Sequence, residues 1–170
     1  MKKTNDIVQT ALFATLVFIA TSSVRVPVMP GGGLIHTGTA VMFIIAVSFG
    51  PFKGALAGAI GMSLFNLTSE WAMWAPYTFV IRIVMGYMIG TIANLKNSRG
   101  KSWKLNAAAI VVSAFWFLPT SYVAQILIFG LDWRIPLLAI WGNVAQLILA
   151  LVIGLPLIPR VNKLRDHILK

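Results

Sequence analysis

"VSFGPFKGALAG", residues 47–58, lies between two apolar runs that are each shorter than the roughly 20 residues a membrane crossing needs. How this stretch turns decides the fold. Read as the tip of a re-entrant hairpin, it carries Lys53 near mid-membrane, at a cost of roughly 2.5–3.5 kcal/mol. Read as a turn on the water side between two thin spans, it leaves Lys53 at the surface. The second reading is cheaper, and it predicts six spans.

The rest of the chain agrees with a membrane setting. Of its 170 residues 58% are hydrophobic and only 11% charged, against about 25% charged in average soluble domains. Hydropathy places spans at about 7–24, 35–49, 52–68, 76–95, 105–129 and 135–158, and the length suits one domain. The expected fold is an all-α integral membrane protein, a compact bundle of six transmembrane helices. The first run does not read as a cleaved signal: no small-residue cleavage site is evident, and Pro27 and Pro30 follow it.

Basic residues set the orientation. With the N-terminus inside, the inner side holds Lys2, Lys3, Lys53, Lys96, Arg99, Lys101, Lys104, Arg160, Lys163, Arg165 and Lys170. The outer side holds only Arg25 and Arg134, and Arg82 falls within a span. Both termini are therefore expected in the cytoplasm. The net charge of +10 then reflects topology and gives no reason to invoke nucleic acid.

Polar residues inside spans are the informative ones. Arg82 follows Pro76 by six positions, about 9 Å below the outer start of its helix, and Asn143 follows Pro136 by seven, about 10 Å. Tyr122 and Gln125 precede the outer end of the fifth span by roughly 10 and 6 Å. Gln146 shares a helical face with Asn143, and Gln125 with Tyr122. The loop after the third span adds Asn66, Glu70, Trp71, Trp74 and Tyr77, and the opening loop adds His36. Agreement in depth points to an outward-facing pocket. Each residue also has a plainer alternative. Aromatics belong to interfacial belts, Asn143 and Gln146 can be interhelical glue, and Glu70 can pair with Arg25 or Arg134. Arg82 can snorkel, although an arginine within a span normally faces a bundle interior or an aqueous cavity.

Small residues form a second pattern. Gly50, Gly54 and Gly58 are four apart, Ala57 and Gly61 form a further pair, and the first span carries Thr10, Ala11, Ala14 and Thr15. Such stripes let helix backbones approach closely. On the first span they could serve a partner membrane protein.

Other classes fit less well. There is no cysteine and no G-x-x-x-x-G-K-[ST] motif, so no thiolate chemistry and no phosphate loop. His36 and His167 are expected on opposite sides of the membrane. That leaves no nucleophile–base pair or metal cluster for an enzyme, and no catalytic residue, metal or cofactor is assigned. A stand-alone ion-coupled transporter usually carries an acid within a span. Asp6, Glu70, Asp132 and Asp166 all fall outside, and no inverted repeat is apparent.

"GGGLIHTGTAVMFIIAVSFGPFKGALAGAIGMSLFNL", residues 31–67, and "WAPYTFVIRIVMGYMIG", residues 74–90, resemble the substrate-binding S components of energy-coupling factor (ECF) vitamin transporters. The closest group is the riboflavin-transporter-like one, which includes pyridoxine and hydroxymethylpyrimidine carriers. The resemblance implies a lid between spans one and two that closes over the vitamin. Gly31, Gly32 and Gly33 would be its hinge, and His36 would be carried into the pocket. The pocket itself would draw on Asn66, Glu70, Trp74, Tyr77, Arg82, Tyr122, Gln125, Asn143 and Gln146. The family's A-x-x-x-A signature for the coupling subunit corresponds to Ala11 and Thr15, with Ala14 beside them and threonine replacing the second alanine. Expected partners are the ECF transmembrane coupling subunit and two separate ATPase subunits, in the lipid bilayer of a bacterial plasma membrane. For the cargo, hydroxymethylpyrimidine or pyridoxine comes first, then riboflavin, then pantothenate, which would set its carboxylate against Arg82.

Overall fold

Gly50 makes the deciding turn. Its φ of 100° lies in the region glycine enters without penalty, and Pro51 follows at the first helical position. The computed structural model describes residues 2–27, 34–130 and 132–168. Six helices carry the chain: α1 (Lys2–Ser23), α2 (Gly38–Phe49), α3 (Pro51–Leu67), α4 (Ala75–Ala93), α5 (Trp103–Phe129) and α6 (Ile135–Ile168). α2 and α3 therefore meet in a tight helix–turn–helix.

Four helical segments are long and apolar enough to cross a membrane: Thr4–Ser23, Ala72–Ala93, Trp103–Ile128 and Ile135–His167. α2 and α3 are shorter, at 12 and 17 residues, or roughly 18 and 25 Å. α2 is short because it is interior. It packs on α1, α3, α4 and α6, and Met42, Phe43, Ala46 and Val47 are fully buried. A helix apolar on all sides is the kind that can sit there. α6 runs through Pro156 and Pro159 to Ile168, ten residues beyond the expected end of the last span.

Close helix approach rests on small residues. Gly54 of α3 meets Ala46 of α2, Gly61 meets α1 at Ala14 and Val17, and Gly86 of α4 lies against the Ala55 backbone. Any side chain at Gly86 would put its Cβ 2.8 Å from Ala55 Cα. The outward surface is the inverse of a soluble protein's. Ile7, Phe115, Leu127, Trp141 and Val152 are largely exposed, as a lipid-facing shell requires.

The sequence reading missed one element. Residues 35 and 36 do not begin a helix. Instead β1 (Arg25–Pro27) pairs antiparallel with β2 (Leu34–His36), in the register Arg25↔His36, Val26↔Ile35 and Pro27↔Leu34. Thr37 ties this hairpin to α1, its hydroxyl donating to the Ala20 carbonyl at 2.7 Å. The glycines expected to act as a hinge, Gly31, Gly32 and Gly33, lie outside the described residues.

The opposite end of the bundle is basic. Lys101, Arg160 and Lys163 line one surface there, and Lys101 pairs loosely with Asp166 at 3.9 Å. Asn106 and Asn162 both donate to the Gly100 carbonyl, at 2.9 and 3.2 Å, which fixes the turn between α4 and α5.

Candidate functional site

Beneath the hairpin, at the end of the bundle away from the basic cluster, lies a partly enclosed cavity. Its empty space is about 630 Å³, including the mouth. Helix periodicity builds its walls. Thr78 and Arg82 are one turn apart on α4, Phe117, Ser121 and Gln125 form one face of α5, and Asn143 and Gln146 share a face of α6. Met62 and Asn66 come from α3, Trp71 and Trp74 from the turn before α4, Thr21 from α1, and Leu34 and His36 from β2.

Hydrogen bonds hold these walls in place. Asn66 Nδ2 donates to the Thr78 hydroxyl at 2.7 Å, and Ser63 donates to the Ala75 carbonyl at 3.1 Å, which clamps α3 to the start of α4. Trp116 Nε1 donates to the Ile81 carbonyl at 3.1 Å and fixes α5 beside Arg82.

Gln146 is the junction. With its amide oriented to satisfy both ends, the oxygen accepts from Arg82 Nη2 at 2.9 Å and from the Thr39 hydroxyl, while the nitrogen donates to the Leu34 carbonyl at 2.7 Å. His36 Nε2 stands 3.5 Å from the oxygen end. One side chain therefore joins α2, α4 and α6 to β2. His36 is itself buried, and its Nδ1 has no hydrogen-bond partner among the described residues.

Arg82 is 6% exposed. Its guanidinium carbon lies 4.3 Å from the Phe117 ring centroid, and Nη1 is 3.3 Å from the Met85 sulfur. It faces the cavity and does not reach for an outer surface.

Seven of the ten expected pocket residues meet here: His36, Asn66, Trp74, Arg82, Gln125, Asn143 and Gln146. Three do not. Tyr122 turns away from Gln125, and its hydroxyl donates to the Trp133 carbonyl at 2.8 Å. The face of α5 that lines the cavity runs through Ser121 instead. Tyr77 is exposed on α4. Glu70 is exposed and accepts from Trp71 Nε1 at 3.1 Å. Its own backbone amide first, then the Trp71 indole and the Arg25 charge, hold its carboxyl below the usual carboxylate range. Glu70 therefore does not anchor Arg82.

The sequence reading passed over Thr21, Met62, Thr78, Ile81, Phe117 and Ser121. Among the described residues no group of three or more His, Cys, Asp or Glu could hold a metal.

On the flank, α1 and α3 form an open apolar groove lined by Ala11, Thr15, Phe18, Leu56, Ile60 and Leu64. Ala11 and Thr15 are exposed in it. Ala14 is 4% exposed and packs against α3 at Gly61, so it serves the bundle more than the groove.

A family model described as "ECF-type riboflavin transporter, S component" matches residues 1–163. The chain is also similar to a Pyrococcus woesei protein described as "Uncharacterized protein in gap 3'region". They are 26% identical over 107 residues, 63% of this chain and 72% of that protein.

Proposed function

The chain belongs to the family of ECF-type riboflavin transporter S components, and from that premise we propose that it is the vitamin-binding subunit of an ATP-driven importer of the plasma membrane. As a multi-pass membrane protein of that family it partners ECF transporter subunits and takes a vitamin substrate. The observation that carries the rest is the cavity itself. It is lined with aromatics, amides and hydroxyls, bordered by Leu34 and His36 of β2, and built around a buried arginine. Aromatic walls suit a flat ring, and convergent amides suit its ring nitrogens and oxygens.

In this reading Trp71, Trp74 and Phe117 flank the ring, and Arg82, Asn66, Gln125, Asn143 and Gln146 supply its hydrogen bonds. His36 arrives with the lid. The cavity's small free space favours a single-ring vitamin or precursor, of the size of hydroxymethylpyrimidine or pyridoxine. Three-ring riboflavin is the second reading, supported by the family's description, and it requires the lid to sit further out.

ATP-driven transport would need partner ATPases, because this sequence carries no phosphate loop. A transmembrane coupling subunit would dock in the α1–α3 groove at Ala11 and Thr15, and two ATPases would bind that subunit from the cytoplasm. The basic cluster at the far end supports placing both termini there.

Two measurements test the reading. Mass spectrometry of small molecules released from the purified protein should find a ring-containing vitamin or precursor. Uptake in a host without ECF coupling genes should be absent and should appear when those genes are supplied. Robust uptake without them would make this a stand-alone transporter.

A further inference from the structure

Arg82 is a fixed charge in a cavity with no carboxylate to meet it. The guanidinium stays protonated at any relevant pH, so it cannot shed its charge on burial. Among the described residues the ion pairs are made by Lys53, Lys101 and Arg165, and no Asp or Glu lines the cavity.

The neighbours of Arg82 are neutral: the Gln146 oxygen at 2.9 Å, the Met85 thioether at 3.3 Å and the Phe117 ring at 4.3 Å. A thioether is a weak acceptor. A cation–π contact offsets only part of the cost of taking an ion out of water. An arginine serving only the fold would be expected to have an acid beside it.

We propose that the counter-charge comes with the cargo: a single-ring compound bearing one carboxylate, which binds with that carboxylate on the Arg82 guanidinium. This rests on reading the cavity as the cargo site. The sign follows from the lining, and so does the magnitude. Among the described residues Arg82 is the one Arg or Lys on the wall, and a phosphate monoester, at about −1.5 to −2 near neutral pH, would leave charge unmatched. A planar fork also fits a planar carboxylate through two parallel hydrogen bonds. Asn143, on the adjoining face of α6, can donate its amide N–H to the carboxylate's remaining lone pairs. Trp71 and Trp74 are placed to hold the ring.

The test uses the full chain in lipid nanodiscs and matched pairs of probes by titration calorimetry. The pairs are pyridine-3-carboxylate with pyridine-3-carboxamide, and pyridoxate with pyridoxine. In each pair the acid should bind at least about tenfold tighter. Arg82→Gln should erase the preference, weakening the acid at least about tenfold more than its neutral partner. Arg82→Lys should keep part of the preference, which guards against a merely misfolded glutamine variant. A neutral probe that binds as well as its acid, or a preference that survives Arg82→Gln, overturns the assignment. If pyridoxine or riboflavin outbinds every acid, the charge assignment fails and the cargo site stands. If none of these compounds binds and no small molecule is released from the protein, both fail.

Discussion

Lys53 and Arg82 are both cations on apolar helices, and the regions that hold them treat charge in opposite ways. Lys53, beside the α1–α3 groove, is 24% exposed. It sits 2.9 Å from Asp6 and 2.6 Å from the Gln9 amide oxygen. The groove around it is otherwise mostly apolar, with Ala11, Ala14 and Thr15 on its α1 side and Leu56, Ile60 and Leu64 on its α3 side. Arg82 is almost fully buried, with neutral neighbours and a cavity at its side. The first charge is answered within the chain, so the groove's business is shape. The second is unanswered by any acid, so the cavity's business is chemistry. Four sets of substitutions can break or sharpen that contrast.

The largest effect belongs to neither region but to the backbone contact that supports both. Gly86 lies against the backbone of α3, where a new Cβ would stand 2.8 Å from Ala55 Cα and 2.9 Å from Gly54 O. Backbone cannot step aside as a flexible side chain would, and overpacking typically costs 1–3 kcal/mol or more. Gly86→Val should give little monodisperse protein on size-exclusion chromatography and the lowest melting temperature of the set. A well-folded Gly86→Val would mean that α3 and α4 are further apart than described.

Next comes the groove. Ala11→Trp should reduce vitamin uptake to background, while ligand affinity of the isolated protein changes by less than about twofold. Ala14→Trp should instead lower folded yield, because Ala14 packs against Gly61 inside the bundle. Equal behaviour of the two would dissolve the distinction between docking face and packing face.

Gln146→Leu probes the cavity. It keeps the volume, but Leu34 O and Arg82 lose their shared partner. A buried polar group left unpaired costs about 1–3 kcal/mol, so cargo affinity should fall about tenfold. The off-rate should carry most of the loss, since the lid strand is held through Leu34. An unchanged off-rate would remove Gln146 as the link between lid and arginine.

These regions were not equally legible in the sequence. Helix positions could be read because long apolar runs have few other uses, and Arg82, Gln125, Asn143 and Gln146 stood out as polar residues within those runs. Thr21 and Ser121 did not, because a hydroxyl can satisfy itself on its own helix, as Thr21 does with the Val17 carbonyl at 2.7 Å. Phe117, Ile81 and Met62 look the same in sequence whether they face lipid or cargo. Tyr122 was misjudged because one residue along a helix is a turn of about 100°, and Ser121 holds the inward side. The β1–β2 hairpin was hidden for a different reason. Its three-residue strands are too short to show alternation, and their pairing depends on Thr37 anchoring the return to α1.

The smallest effect should come from the pair that opened the contrast. Asp6→Asn removes the carboxylate from Lys53 but leaves the Gln9 oxygen 2.6 Å from the ammonium. Asp6 is 63% exposed, so water and salt already screen the attraction, and exposed pairs contribute about 0–1 kcal/mol. Thermal stability should therefore shift only slightly, and less still in high salt, with cargo affinity untouched. Lys53→Met should be equally mild, because removing both the charge and its need for a partner leaves an apolar side chain beside Phe52 and Leu56 in the groove. Arg82→Met is the matched counterpart. It also trades a cation for an apolar chain of similar reach, yet it should abolish the preference for an acid over its amide while the fold survives. If Lys53→Met harms binding as much as Arg82→Met does, the two charges serve one purpose and the contrast between groove and cavity is wrong.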